Sequence, residues 1–385
     1  MGFKKILPGK KLLLLVMLMA GLLVIAGCAP GGARPRGWSG GTIAGGTLFL
    51  GSMEGRLVAV DTSNGSRLWE VPFTARPSGG FNFGCVPGGS GTVAIYGNPA
   101  ISGELVYIGG YNGKIYAVDA ASGASKWQYP PEAEDYLEPI VGGAVVALDR
   151  VYIGVSDGKV YALDAATGGK EWDFESGDRI WSTPAVVGDT LFIGSFDKKL
   201  YALDATDGSK KWEFEAGGAI VSTPVVYNNT VYFGSFDRHL YAVDAASGQQ
   251  IWRFPENEEA EDQPGNWFWA DPVAYNDTIY AGNLDGKVYI LNSETGKEKA
   301  SPIDLGSPIS SSPVLLGKSI VIAVEQGIIY ALDTDNNRVR QLSDMEEKIF
   351  GSLSGGDGIV YIHTEKDRLY AVDVQSGAKR EFPIK

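Results

Sequence analysis

Along most of the chain, short apolar runs alternate with Gly-, Asp- and Asn-rich interruptions, and the alternation itself recurs. Five stretches superpose directly: Val106-Tyr-Ile-Gly with Ile115-Tyr-Ala-Val-Asp119, Val151-Tyr-Ile-Gly with Val160-Tyr-Ala-Leu-Asp164, Leu191-Phe-Ile-Gly with Leu200-Tyr-Ala-Leu-Asp204, Val231-Tyr-Phe-Gly with Leu240-Tyr-Ala-Val-Asp244, and Ile279-Tyr-Ala-Gly with Val288-Tyr-Ile-Leu-Asn292. Three weaker copies are marked by Asp61, Asp333 and Asp373. The eight marker positions stand 40 or 41 residues apart at four of seven steps. The other steps are longer by 18, 5 and 8 residues and read as loop insertions.

Each copy predicts four short strands. In the fourth, strand A covers 184–187, Gly188 and Asp189 turn the chain, strand B covers 191–194, strand C 200–204 and strand D 211–214. The runs are rich in β-branched and aromatic residues and bounded by turn formers, as strands are. A four-stranded unit of about 40 residues cannot bury both faces alone, so neighbours must stack. Eight such units predict an all-β fold, an eight-bladed β-propeller of four-stranded antiparallel blades, whose radial closure leaves only short, protected edges. The copies run from a strand A to a strand D, so each blade can form from one contiguous segment.

A second pattern rides on the first. Gly65, Gly123, Gly168, Gly208 and Gly248 are each followed four residues later by Trp69, Trp127, Trp172, Trp212 and Trp252. The glycine suits a turn with positive φ, and the indole predicts a large flat ring buried between blades. The last three copies carry Ala300, Gln341 and Glu381 instead, which predicts looser docking of blades six to eight.

The first residues lie outside the repeat. Lys4, Lys5, Lys10 and Lys11 precede an apolar run over 12–25 that ends in Ile25-Ala-Gly-Cys28. A basic segment before a short apolar stretch is a secretory signal, and the run falls short of the roughly 20 residues that a membrane span needs. The small residues before Cys28 form a lipobox. Residues 1–27 are accordingly a lipoprotein signal peptide, 28–37 an acylated Cys28 with a short tether, and 38–385 the propeller. The expected location is membrane-anchored and exported: the periplasmic face of the outer membrane in a diderm, otherwise the outer face of the cytoplasmic membrane.

Composition then narrows the partners. The full chain carries a formal charge of −13, and loss of the four signal lysines leaves the exported part at −17. Such a surface repels phosphate backbones, which excludes nucleic acid as the expected partner. Besides Cys28 the chain has only Cys85, so the exported chain can hold no internal disulfide and must rely on packing. A monomeric propeller with an envelope protein partner is expected.

Candidate binding residues cluster before strand A. Aligned on the Pro that leads this strand, the position three residues earlier holds Trp38, Tyr96, Tyr136, Trp181, Val221, Trp269, Ser310 and Phe350. Because strands alternate direction, the D-to-A connections and B-to-C turns share one face. Two of its insertions are acidic: Glu132, Glu134, Asp135 and Glu138 before blade three, and Glu256, Glu258, Glu259, Glu261 and Asp262 before blade six. A third, 74–95, is Gly-rich and carries Phe81, Phe83 and Cys85. Arg179 and Asp271 complete the candidate face. Aromatics so placed either pack between inner strands or line a mouth. The run Trp267-Phe268-Trp269 favours the mouth, since a strand alternates its faces and three consecutive rings cannot all enter one core.

The repeated Ala-x-Asp-x-x-x-Gly-x-x-x-Trp motif closely resembles the pyrroloquinoline-quinone (PQQ)-like propeller repeat, over essentially all of 38–385. A lipobox followed by eight such repeats is similar to the BamB family, scaffold lipoproteins of outer-membrane β-barrel assembly. The resemblance implies a non-catalytic scaffold without a cofactor. In that family the partner-contacting loops precede strand A of central blades, with a Leu-x-Leu-Arg stretch in one and paired aspartates in the next. Here Arg179 alone matches the first, and Ala219 and Val221 stand at the aspartate positions. PQQ-dependent dehydrogenases share the propeller and hold quinone over Ca²⁺, usually beside a ring of adjacent cysteines. This chain has no adjacent cysteines, and Asp157, Asp197, Asp237 and Asp285 recur at turn positions where turn chemistry accounts for them. His239 and His363 lack metal-ligand spacing, and no metal is expected. Two other readings remain beside the scaffold: a sensor or ligand-binding propeller for a sugar or cationic solute, and a degenerate quinoprotein dehydrogenase.

Overall fold

The computed structural model describes residues 38–74, 93–133, 135–256 and 264–384. The expected signal, Cys28 with its tether, Phe81, Phe83, Cys85, Glu134, Glu258, Glu259, Glu261 and Asp262 lie outside the described residues. Within them the chain folds into eight four-stranded antiparallel sheets, each built from consecutive strands in the order A-B-C-D. The blades cover 41–72, 100–129, 144–175, 185–215, 225–254, 273–304, 314–344 and 354–382. Strands A of neighbouring blades touch from blade one to blade six and again between blades seven and eight, and that of blade eight meets that of blade one. Among the described residues no blade borrows a strand across the junction.

Strands B and C carry the core. In blade four, Thr190–Gly194 pairs with Lys199–Asp204 over five registered positions, and every residue from Leu200 to Leu203 is buried. A central strand buried on both faces gives a continuous apolar run, which is why the Leu-Tyr-Ala-Leu motif does not alternate. The apolar clusters span blade pairs: Tyr152, Val160 and Trp172 of blade three join Leu191, Ile193 and Tyr201 of blade four.

The Gly–Trp motif works across the seam rather than within a blade. Each indole lies against the glycine of the next blade: Trp69 on Gly123, Trp127 on Gly168, Trp172 on Gly208, Trp212 on Gly248 and Trp252 on Gly296. Its Nε1 donates to a carbonyl of that same turn, as from Trp127 to Ala165 O at 3.0 Å and from Trp252 to Ser293 O at 2.7 Å. The strand B tyrosine of the same blade adds a second donor, with Tyr107 Oη reaching Ala165 O at 3.1 Å.

The three seams without an indole close by another route, so the missing tryptophans leave no bare junction. Between blades seven and eight, Leu342, Met345, Ile349 and Leu353 bury against Val360, Ile362 and Tyr370. At the ring closure Phe382 replaces the indole and sits against Gly65. Glu381, at the tryptophan position by sequence, does not, because blade eight lacks the register shift that other blades show between strands C and D. Arg380 thus pairs with Ala371, and Phe382 falls on the seam-facing side two residues on.

Candidate functional site

Backbone hydrogen bonds tie each B-to-C turn to the D-to-A connection on the same face, as between Phe196 N and Arg179 O at 3.0 Å and between Phe236 N and Ala219 O at 2.9 Å. The connection is fixed by an apolar anchor driven onto the glycine that ends strand B. In blade five a Cβ on Gly234 would lie 2.5 Å from Phe268 Cβ, so only glycine admits this anchor. The residue after each anchor points to the axis.

Eight such residues form a ring at the mouth of the channel: Trp38, Tyr96, Val141, Trp181, Val221, Trp269, Ser310 and Phe350. Seven were placed there from sequence. Tyr136 is the exception, and Val141 holds its place. Pro139, used to align blade three, is not the residue that leads strand A; Ala144 is, and the five extra residues of this repeat lie before the anchor Ile140 rather than after it. Tyr136 sits instead in the acidic connection, where Lys114 Nζ lies 4.7 Å from its ring centroid. Buried Lys114 also donates to Pro130 O at 2.9 Å and Glu132 O at 2.5 Å, pinning that connection by its backbone.

The rings join into two arcs. On one side Phe350, Trp38, Tyr96 and Tyr111 touch in succession, with Trp38 and Tyr96 centroids 4.6 Å apart. On the other, Trp181 meets Phe196 at 4.7 Å, Phe196 meets Phe236 at 6.1 Å, and Phe236 stacks on Trp267 at 4.4 Å and on Trp269 at 5.5 Å. Arg179 covers this arc, its guanidinium 4.6 Å from the Phe196 ring. Trp267 is 41 % exposed and Phe268 is buried, so the three-ring run divides between rim, core and channel as the alternation argument required. Tyr111, Phe196 and Phe236 were not singled out from sequence. Their signal was a repeat position too: the second residue after the glycine of strand B, where a large ring in a polar turn is out of place.

Beneath the aromatic ring lies a polar one, including Asn98, Thr183, Thr223, Asp271, Ser312 and Ser352. Asp271 Oδ1 accepts from Thr223 N at 2.6 Å, and Asp271 N donates to Ser312 Oγ at 3.2 Å. Desolvation pushes the Asp271 carboxyl above its usual range despite these bonds. Glu138 is exposed on the acidic connection.

The recurrent turn aspartates are engaged structurally. Tyr161, Tyr201, Tyr241 and Tyr289 donate to Asp157, Asp197, Asp237 and Asp285 at 2.5–2.7 Å. Among the described residues no group of three or more His, Cys, Asp or Glu side chains is arranged to hold a metal.

The fold and the repeat define the class: an eight-bladed propeller of PQQ-like repeats with an aromatic mouth. The family described as outer membrane protein assembly factor BamB matches over residues 31–155 and 156–380, and the chain belongs to that family. The BamB of Pseudomonas aeruginosa is 34% identical over 102 residues, 26% of this chain and 24% of that protein. A serine/threonine-protein kinase, AfsK of Streptomyces griseus, is 32% identical over 90 residues, 22% of this chain and 9% of that protein. The chain thus spans a quarter or less of these relatives' lengths in alignment. The crystal structure of BamB from Moraxella catarrhalis superposes with a TM-score of 0.68 at 19% identity, covering 86% of this chain and 93% of that one. A computationally designed protein, Ika8, gives 0.68 at 16% identity, covering 88% and 96%. At these identities the two structures report the fold.

Proposed function

We propose that this protein is a non-catalytic lipoprotein scaffold of the cell envelope, acylated at Cys28, that holds a component of outer-membrane barrel assembly on its mouth face. The observation that carries the reading is the aromatic arc of half-buried Trp181, Phe196 and Phe236 and exposed Trp267, set on rigid turns in a chain of the BamB family. Large rings with little rotamer freedom, held by a scaffold and rimmed by charge, are the side chains that dominate protein interfaces. Asp178, Glu138 and Glu132 supply a polar, acidic rim suited to a basic partner surface. The turn aspartates support the non-catalytic reading, because each already serves a tyrosine and a backbone turn.

The test is a photo-crosslinking amino acid placed at 267 on the mouth and at 251 on the outer strand of blade five, in cells of the source organism. Crosslinks from 267 to an outer-membrane barrel-assembly protein, absent from 251, are expected. Equal yields from both positions, or none to such a protein, sink the reading. Radiolabelled palmitate should enter the chain and be lost in Cys28→Ala.

A further inference from the structure

We propose that the channel mouth is a receptor for an organic cation, an ammonium or guanidinium group that passes the aromatic ring and seats against Asp271. The inference deepens the scaffold reading by assigning a ligand class to the same face, and rests on it only for where the cation comes from.

The cavity holds about 300 Å³, at the small end of ligand pockets and suited to a single long side chain or a small amine. Its upper wall carries Trp38, Tyr96, Trp181, Trp269 and Phe350, whose negative π faces attract cations. Asp271 is the only charged side chain in its lining among the described residues, and the rest of the lower ring is neutral. No basic side chain among the described residues forms an ion pair with Asp271. Hydrogen bonds from Thr223 and Ser312 do not offset its loss of hydration. A second polar atom in the same lining, Ser310 Oγ, is buried without a protein partner. A carboxylate desolvated and left unpaired is costly, and its position beneath five aromatic rings is what an incoming cation would repay. Seven of the eight equivalent positions do without an acid, so the fold does not require one there.

The test titrates the full chain with N-acetyl-arginine amide, using the citrulline analogue as an uncharged control of the same shape. Saturable binding of the arginine compound and at least tenfold weaker binding of the citrulline compound are expected. Asp271→Asn keeps an acceptor for Thr223 N–H, and should weaken arginine binding tenfold or more while raising the melting temperature. An acid placed for stability alone would lower it. Val221→Trp, which narrows the mouth and keeps the Asp271 carboxylate, should also weaken binding. Equal binding of the two compounds, or unchanged binding in Asp271→Asn, overturns the proposal. The source is read separately: if excess arginine compound added before irradiation suppresses crosslinking from 267, the cation is a partner's side chain, and if crosslinking persists with the site filled, it is a free amine. Failure of all binding with crosslinking intact removes the receptor and leaves the scaffold.

Discussion

The indole of Trp212 lies flat against Gly248 of the next blade, 2.6 Å from where a Cβ on that glycine would stand. The glycine has φ +71°, so two constraints coincide on it: a left-handed turn and a ring that occupies its side-chain space. Trp212→Ala should cost about 3–5 kcal/mol, from lost burial and the cavity left behind, together with the bond from Nε1 to Ala245 O at 3.1 Å. Gly248→Ala should cost about 1–2 kcal/mol for backbone conformation alone, and more because the indole must move. In the double variant the space is empty, so the combined loss in urea unfolding should be smaller than the sum. Strict additivity would show that the ring and the turn do not meet.

That relationship marks where the sequence was legible. The count of blades, the strand order within each and the seam role of the five tryptophans all follow from one motif repeated with little change. The partner of each tryptophan did not follow, because a repeat pattern fixes what recurs and not which neighbour it faces. Tyr136 was misplaced where two register markers disagree: the blade has a proline, but five residues before the start of its strand A. Phe382 was missed because a single absent bulge exchanges Glu381 for its neighbour. Phe196 and Phe236 lie in turns read as polar, where position in the repeat, rather than local composition, held the signal. Asp271 was picked out as one acid among many; only the channel geometry shows it alone among aromatics.

Asp237 gives a pH-dependent test. Desolvation raises its pKa, but hydrogen bonds from His239, Tyr241 and the backbone outweigh this and hold it down to about 2, from 3.8. A depressed carboxylate contributes stability above its unfolded pKa and loses it as pH falls through the folded value. The contribution at neutral pH is about 2 kcal/mol, and should fade between about pH 4 and pH 2. Wild type and Asp237→Asn should therefore differ in urea midpoint at pH 7 and converge near pH 2. A constant gap across that range would show that the carboxylate charge is not what stabilises the turn.

The mouth residues should separate binding from folding. Trp269 lines the channel and stacks on Phe236, while Trp267 stacks on the same ring with much of its own surface in solvent. Trp269→Ala should shift folding stability by less than about 1 kcal/mol yet weaken crosslinking from 267, and Trp267→Ala should do the same to co-purification of the partner. Phe236→Ala removes the ring that both tryptophans share and should be the most damaging to capture. If Trp269→Ala unfolds the protein, the aromatic mouth is core and the binding face is misassigned.

Ring closure should depend on one buried acid. Asp367 Oδ1 accepts Met53 N from blade one at 2.9 Å and meets His363 Nε2 at 2.8 Å, while His363 Nδ1 lies 3.0 Å from Ser39 O. The seam between the two ends of the chain is thus latched by polar contacts as well as by Phe382. Asp367 has φ +60°, so Asp367→Ala would mix backbone strain with loss of the latch, whereas Asp367→Gly keeps the conformation and removes the carboxylate. Leaving the buried Met53 N–H without its acceptor should cost about 1–3 kcal/mol. Asp367→Asn retains an acceptor oxygen and should recover most of the loss. Amide exchange should accelerate first in blades one and eight, because opening this seam frees both end blades while the seams between blades two and seven stay packed. Uniform acceleration around the ring would mean that the seam has no local opening, and that closure is won by the propeller as a whole.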